Sequence, residues 1–250
     1  MASENEVVIR HLLDLCRKSE KTCSWQYSGF LSLAEQDDFL GSREAAWLSF
    51  RLDGGYENAE RRILAAGDED EMGPPELPVS VVLVRPKSEK YAEMLSHRDY
   101  LGAILGLGIE RSLIGDILVR EKRAWVFCLA PAVKILLPSL DQVRRTAVIA
   151  EMAAADVPEL QPRYTPVRLN IASERLDAVT AAFAGISRGQ ADRLFAAGKV
   201  FVNGRMTEDR SRILKAGDIL SVRGTGKAVY DGIEYETKKG RYMVRIRKPD

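Results

Sequence analysis

The spacing of apolar residues over 1–74 predicts a small N-terminal α+β domain. Apolar residues recur every three or four positions over 4–21 and again over 34–40, which indicates two amphipathic helices. The run AAWLSFRL at 45–52 predicts a strand. Gly54 and Gly55 break that strand. Glu57 and Arg61 lie four residues apart and favour a further helix over 57–64.

The region 75–160 alternates strand-like and helix-like patterns. Its β-branched and aromatic runs predict strands at 79–85, 114–119, 124–129 and 143–152. One helix is expected after Ser96, and a second begins at Pro131. The side chains expected on the inner face of the first helix are Tyr100, Leu101, Ile104 and Leu105. The resulting order β-α-β-β-α-β predicts a ferredoxin-like, RRM-like middle domain.

Two aromatic residues of the middle hairpin, Trp125 and Phe127, are expected on one face of the sheet because strand side chains alternate. Such a face could stack RNA bases, or it could pack against the helices of the domain. Both interpretations stay open, since the hairpin lacks the aromatic RNP sequence of RNA-recognition sheets. Arg98 and Arg111 are further candidates for phosphate contacts.

The C-terminal region comes after a proline-rich linker over 153–166 and a short strand over 167–171. A first helix is expected after Ser173 and ends at Gly185. A second begins at Ser187, which forms a capping box with Gln190 three residues later. The predicted domain boundaries are therefore 1–74, 75–160 and 168–250, in an α+β chain.

After these helices a hairpin is expected. A strand over 199–202 leads into the tight turn Asn203-Gly204, and the return begins at Arg205. A further strand is expected over 219–222, and the residues after it form about one more hairpin.

Basic residues are concentrated at this end of the chain. Residues 173–250 contain 16 Lys and Arg against 10 Asp and Glu, a net charge of +6, whereas 1–172 contain 21 against 26, a net charge of −5. A basic region on an acidic body indicates a polyanionic partner. The start of a helix offers unpaired N–H groups to an anion, and arginine offers a fork that matches a phosphate. The candidate RNA-binding residues on this reasoning are Arg175, Ser187, Arg188, Lys199 and Arg205. Arg193 is a further candidate, for which ordinary surface charge stays an open alternative.

Composition and motifs argue against several other classes of protein. No apolar run approaches the roughly 20 residues that a membrane helix needs, and the N-terminus does not have the pattern of a signal peptide. Three scattered cysteines and two histidines give no zinc pattern, and the cysteines are expected to be reduced thiols of a cytoplasmic protein. The triplet His97-Arg98-Asp99 lacks the other kinase motifs, and Gly54-Gly55 lacks a phosphate-loop sequence. No catalytic residue, metal or cofactor is therefore predicted.

The C-terminal motifs RLDAV, ISRGQADRLFAAGKVFVNG and LKAGDILSVRG closely resemble the S4 RNA-binding domain, also called the αL motif. The segments FRLDGGYENAERR, SHRDYLGAILGLGIERSLIGDILV and ETKKGR extend the similarity over most of the chain. They resemble the YlmH-type S4 proteins, relatives of the photosystem II S4-domain proteins. The resemblance implies RNA contacts at Arg175, Ser187, Arg188, Lys199, Asn203 and Arg205.

The resemblance also implies a role at the ribosome. Similar S4 domains act on stalled 50S subunits that carry peptidyl-tRNA, so rRNA and tRNA are the expected RNA partners in ribosome-associated quality control. Two alternatives stay open. The acidic N-terminal domains could bind a protein partner, for example as an adaptor in cell division with secondary RNA binding, or the chain could be an RNA-modifying enzyme. Against the enzyme, the S4 unit is C-terminal here, whereas modifying enzymes with S4 domains resemble each other in placing it first.

Overall fold

A computed structural model describes residues 4–57, 59–153 and 164–249. The chain divides into two compact units, residues 1–161 and 162–250. The predicted boundary at residue 75 lies inside the first unit, between its two sheets. Most of the predicted linker over 153–166 lies outside the described residues, and its last three residues belong to a strand.

The first unit opens with two helices on a small antiparallel sheet. The helices are α1 (Glu4–Thr22) and α2 (Leu33–Leu40). The strands are β1 (Gln26–Tyr27), β2 (Phe50–Asp53) and β3 (Ile63–Ala66), in the order β1-β3-β2. Apolar residues of α1 and α2 pack against β3 in one core, and a short helix, α3 (Glu69–Met72), follows. Both helix predictions are confirmed.

Two predictions for this region are wrong. Residues 45–47 form a 3-10 turn ahead of β2 and no part of a strand. No helix forms among the described residues of 57–64, where an irregular segment leads into β3. An i,i+4 pair stabilises a helix by only about 0.2–0.5 kcal/mol. The backbone N–H groups of Glu60 and Arg61 instead donate to the Asp116 carboxylate, at 2.7 and 3.2 Å.

A five-stranded antiparallel sheet with two helices completes the first unit. Its strands are β4 (Val79–Pro86), β5 (Ile114–Arg120), β6 (Arg123–Leu129), β7 (Gln142–Val143) and β8 (Thr146–Ala153). The helices are α4 (His97–Gly106) and α5 (Ala130–Ser139). The order β5-β6-β4-β8-β7 confirms the ferredoxin-like β-α-β-β-α-β arrangement, with β7 as a short addition. Tyr100 and Ile104 are fully buried as expected, whereas Leu105 is 38% exposed and does not face the core.

The two faces of this sheet have different partners. Val82, Val84 and Val126 share a core with residues of α4 and α5. Trp125 and Phe127 lie on one face, as alternation predicts. That face is opposite the helices, so of the two open interpretations the one in which they pack against the helices is wrong. They cluster with Phe30 and Ile63, and the Tyr56 ring lies 4.5 Å from that of Phe127. Both aromatic rings are at most 5% exposed, which closes this face to the stacking of RNA bases.

Polar contacts join the two sheets of the first unit around Asp116. This carboxylate also accepts a hydrogen bond from the Tyr56 hydroxyl at 2.7 Å. Arg61 donates to the carbonyls of Phe30 and Ile114. Arg111 donates to the carbonyls of Ile114 and Gly115, and burial lowers the pKa of its guanidinium to about 10. Arg111 thus forms hydrogen bonds within the fold, and its contact with a phosphate stays a prediction.

The second unit is a six-stranded antiparallel sheet with a pair of helices. Its strands are β9 (Tyr164–Ile171), β10 (Val200–Val202), β11 (Arg205–Met206), β12 (Ile219–Val222), β13 (Gly226–Glu236) and β14 (Tyr242–Pro249). The helices are α6 (Leu176–Ala184) and α7 (Arg188–Ala196). The strand order is β11-β10-β12-β13-β14-β9. The terminal hairpin β13–β14 therefore ties the strand that precedes the helices to the rest of the sheet.

Within the described residues no helix is long and apolar enough to cross a membrane. Over the same residues, no three His, Cys, Asp or Glu side chains come together as a metal site would require.

Candidate RNA-binding surface

Local sequence signals fix the end of α6 and the start of α7. Gly185 ends α6 in the left-handed region at φ 66°, a conformation that suits glycine, and two residues later Ser187 caps α7. The Ser187 hydroxyl accepts from the Gln190 N–H at 3.3 Å, and the Gln190 side chain accepts from the Ser187 N–H at 2.9 Å. The predicted capping box is confirmed.

The start of α6 differs from the sequence prediction. Arg175, and not Ser173, is the residue that precedes the first turn. The Ser173 hydroxyl instead accepts a hydrogen bond from the guanidinium of Arg188, at 2.6 Å. A serine that could have capped α6 is therefore used to hold the arginine that begins α7.

Arg175 and Arg188 converge on one carboxylate. Arg175 donates from Nε and Nη2 to the two oxygens of Asp177, at 3.3 and 3.4 Å. Arg188 reaches the same carboxylate with its Nη2, at 3.5 Å. The Asp177 side chain is 13% exposed, whereas both arginine side chains are about half exposed. Asp177 thus orients two guanidinium groups that keep a large accessible surface.

The backbone at the start of α7 is also open to close approach. Gly189 follows Arg188, and apart from its chain neighbours and the nearby backbone of α7 no described atom lies within 4 Å of the position that a Cβ would take there. Glycine costs roughly 1 kcal/mol relative to alanine inside a helix. Gly189 is exposed, so the first turn of α7 leaves room for a ligand to approach the helix start closely.

The other predicted residues are distributed around this centre. Lys199 and Arg193 are exposed, and Arg193 lies on α7 five residues, or about 7.5 Å, beyond Arg188. Arg205 begins the return strand β11 and is half-buried. Ser187 uses its hydroxyl within the capping box. RNA contact by these four residues stays a prediction.

Asn203 has a role within the fold. Its side-chain amide donates to Asp218 at 2.8 Å, and its carbonyl oxygen accepts from the Ile219 N–H at 2.9 Å. Its backbone is left-handed at φ 50°, followed by Gly204 at φ 78°, as the predicted tight turn requires. The structure therefore shows Asn203 shaping the β10–β11 turn, and its contact with RNA stays a prediction.

Sequence reasoning missed several residues of this surface. Asp177 and Ser173 orient the arginines. For Asp177 the sequence did carry a signal, because this acid lies two positions after Arg175. Arg223 lies with its guanidinium carbon 4.7 Å from the centre of the Phe201 ring, next to Lys199 across the β10–β12 pair. No sequence signal identifies that contact, because it joins two strands distant in the chain.

Much of the C-terminal positive charge is neutralised within the fold. Arg245 and Arg247 pair with Asp231, at 3.2 and 2.9 Å. Arg168 pairs with Glu234 at 2.6 Å. These pairs lie on β9, β13 and β14, where they balance part of the positive charge of the unit.

Comparisons with known proteins match this architecture. Residues 79–156 match the family described as "Putative RNA-binding domain in YlmH", and residues 174–220 match the S4 domain. The chain is 30% identical over 223 residues to "Ribosome-associated protein quality control protein P2" of Bacillus subtilis, which covers 84% of this chain and 86% of the relative. Among solved structures, "Cell division protein ylmH from Streptococcus pneumoniae" aligns with a TM-score of 0.51 at 19% identity, over 62% of this chain and 93% of that one. This last similarity concerns the fold.

Proposed function

Because this chain belongs to the YlmH-type family of S4-domain RNA-binding proteins, we propose that it binds the 50S ribosomal subunit through its S4 unit and acts in the quality control of stalled nascent chains. The proposed RNA partners are rRNA and tRNA. The observation that carries the proposal is the convergence of Arg175 and Arg188 on Asp177, at the starts of two helices.

This arrangement suits a phosphate backbone for physical reasons. Phosphate contacts supply a large share of the affinity of such complexes and fix the register of the protein on the nucleic acid. An arginine that is already oriented loses less side-chain freedom on binding, and its fork can take two oxygens of one phosphate. Asp177 and Ser173 supply that orientation, and the start of α7 adds backbone N–H donors beside Arg188.

The first unit is proposed to support this binding without catalysing a reaction. Its aromatic sheet face is closed by Phe30, Tyr56 and Ile63, so any RNA contact by this unit must use other residues. Residues 1–172 carry a net charge of −5, which suits a protein partner better than RNA. We therefore propose a protein partner for this region in addition to the RNA contacts of the S4 unit. The proposed location is the cytoplasm, where ribosomes are found.

Sedimentation tests the ribosomal assignment. Purified 50S subunits are mixed with the full chain, or with the double variant Arg175→Glu, Arg188→Glu, and separated on a sucrose gradient at low salt. We expect the wild-type chain to migrate with the 50S particles and the double variant to stay at the top. A matched control, Arg17→Glu with Arg51→Glu, changes the net charge equally on exposed residues of the first unit and should migrate with the particles. Equal migration of wild type and the Arg175/Arg188 variant would refute the assignment.

A separate experiment tests the proposed absence of catalysis. RNA recovered from the complex is digested and its nucleosides are compared by mass spectrometry with those of untreated RNA. We expect the two sets to be identical. A new modified nucleoside that depends on the first unit would show that the chain is an RNA-modifying enzyme.

A further inference from the structure

A cleft lies beside Arg188 in the second unit. It has a volume of about 260 Å³ and is formed between α6 and the neighbouring ends of β9 and β14. The apolar residues that line it include Ala178, Ala181, Ala182 and Ile186. Its rim carries Asn170, Arg188 and Arg241.

The cleft exists because one side of α6 carries small residues. Alanines at 178, 181 and 182 follow helical spacing, so they form a single shallow face. The larger residues Leu176, Val179 and Phe183 belong to the core of the unit. A leucine at one of the alanine positions would occupy the space that these small side chains leave.

Arg241 is held at the rim from two directions. Its Nη2 donates to the Asn170 carbonyl at 3.1 Å, and its Nε donates to the Asn170 side chain. Its backbone N–H donates to the Thr237 hydroxyl at 3.1 Å, within the turn that joins β13 to β14. The same turn exposes Lys238 and Lys239. The terminal hairpin thus brings to the rim of the cleft a cation, Arg241, that the S4 motif at 174–220 does not contain.

We propose that this cleft binds one unpaired nucleotide of the RNA that the S4 unit holds. The base would lie against the alanine wall, and Arg188 and Arg241 would contact its flanking phosphates. This inference rests on the proposed function, because it requires RNA at Arg188. Arg188 lies both on the rim of the cleft and beside Asp177, so a strand held at the start of α7 passes the cleft directly.

The chemistry of the cleft favours an unpaired nucleotide over other ligands. Its volume is below the roughly 300–1,000 Å³ of sites for whole small molecules or cofactors. An apolar wall beside planar guanidinium groups suits the face of a base, since arginine stacks on bases and forks phosphates. A base in an A-form duplex cannot enter, because it is already stacked and paired; proteins read RNA sequence mainly in loops, bulges and ends. The cleft would therefore select RNA with an unpaired segment.

The test compares the binding of two RNAs. It uses a variant that fills the cleft without changing the charge of the chain. Binding of the full chain to a fluorescent RNA hairpin with a single-stranded loop, and to a blunt RNA duplex of the same length, is measured by anisotropy. The variant Ala182→Leu enlarges a residue of the cleft wall. The matched control Ala184→Leu changes a partly exposed residue of the same helix that does not line the cleft. Thermal melting of each variant verifies that it folds.

We expect wild type and Ala184→Leu to prefer the hairpin. Because a leucine at 182 would occupy the space proposed for the base, Ala182→Leu should weaken hairpin binding by about tenfold and leave duplex binding unchanged. An unchanged ratio of hairpin to duplex affinity in Ala182→Leu would contradict nucleotide binding in the cleft, while leaving the proposed RNA binding of the S4 unit intact. Failure of the wild-type chain to bind either RNA would contradict the cleft proposal, whereas the proposed function would fail separately, if the chain did not migrate with 50S subunits.

A second variant keeps the test decisive if Ala182→Leu does not fold. Arg241 lies on an exposed hairpin, so Arg241→Gln should leave the fold intact. It should weaken hairpin binding and reduce the slope of log affinity against log salt by about 0.7, the value for one single-strand phosphate. An unchanged salt slope for the hairpin would overturn the assignment of Arg241 to the bound nucleotide.

Discussion

The guanidinium of Arg188 donates a hydrogen bond to the hydroxyl of Ser173 at 2.6 Å. This contact ties the first residue of α7 to the segment before α6, across 15 positions of the chain. It holds Arg188 near Arg175 without burying it. The proposed RNA binding depends on that preorganisation, which can be tested separately from the charge of the arginine itself.

Replacing Ser173 with alanine should weaken RNA binding while leaving stability nearly unchanged. The hydrogen bond lies at an exposed site, so its loss should cost at most about 1 kcal/mol of unfolding free energy. Arg188 would then sample more rotamers, and each side chain ordered on binding costs about 0.5–1.5 kcal/mol. We expect hairpin-RNA affinity to fall a few-fold in an anisotropy titration. The control Ser49→Ala, which removes an exposed hydroxyl bond to Asp68 in the first unit, should have no effect; equal affinities for all three proteins would argue against preorganisation.

Asn203→Ala should loosen the β10–β12 part of the sheet. The substitution removes the bonds to Asp218 and to the Ile219 N–H, and it places alanine in a left-handed conformation. Amide hydrogen exchange over 200–222 should report a loss of about 2 kcal/mol in local protection. Asn203→Gly keeps the backbone conformation and should lose less. Unchanged exchange in Asn203→Ala would mean that the side chain does not support the turn.

Asp116→Ala should destabilise the first unit selectively. Its carboxylate accepts from the Tyr56 hydroxyl and from two backbone N–H groups, which would lose their partner. The expected loss is about 2–3 kcal/mol of unfolding free energy. All three tryptophans, Trp25, Trp47 and Trp125, belong to this unit, so urea unfolding followed by their fluorescence measures it directly. The control Asp14→Ala removes an exposed ion pair and should change stability by less than about 0.5 kcal/mol; a similar result for Asp116→Ala would contradict its joining role.

The cysteines should differ sharply in reactivity. Burial raises the pKa of the Cys16 thiol to about 11 and that of Cys128 to about 12, so both stay protonated near pH 8, whereas Cys23 is exposed. Because the thiolate is the reactive form, a disulfide reagent at about pH 8 should modify one thiol per folded chain and all three in urea. Cys23→Ser should remove the fast reaction. Rapid modification of a second thiol in the folded chain would show that Cys16 or Cys128 is accessible.

Features set by neighbouring residues were predictable from the sequence. The Ser187–Gln190 capping box, the glycine that ends α6 and the turn at Asn203-Gly204 each depend on a few adjacent positions. The order of strands and helices in the middle of the chain follows from alternation and helical spacing in the same way. The S4 motif and its extensions indicated the family, which the comparisons confirm.

Features set by distant contacts were not predictable. Alternation placed Trp125 and Phe127 on one face but could not say that Phe30 and Tyr56 would cover it. The helix favoured by the weak signal over 57–64 does not form among the described residues, because the backbone N–H groups of Glu60 and Arg61 donate to Asp116, more than 50 positions away. Ser173 was expected to cap a helix, and it holds Arg188 instead. In each case a contact formed only in the folded chain outweighed a local preference.

A cryo-EM map of the chain bound to the 50S subunit tests the central claim most directly. We expect the starts of α6 and α7 to face ribosomal or transfer RNA, with the guanidinium groups of Arg175 and Arg188 within hydrogen-bonding distance of phosphates. A map in which those two arginines face solvent or protein, and the chain contacts the particle through its first unit alone, would contradict the proposed role of the S4 unit.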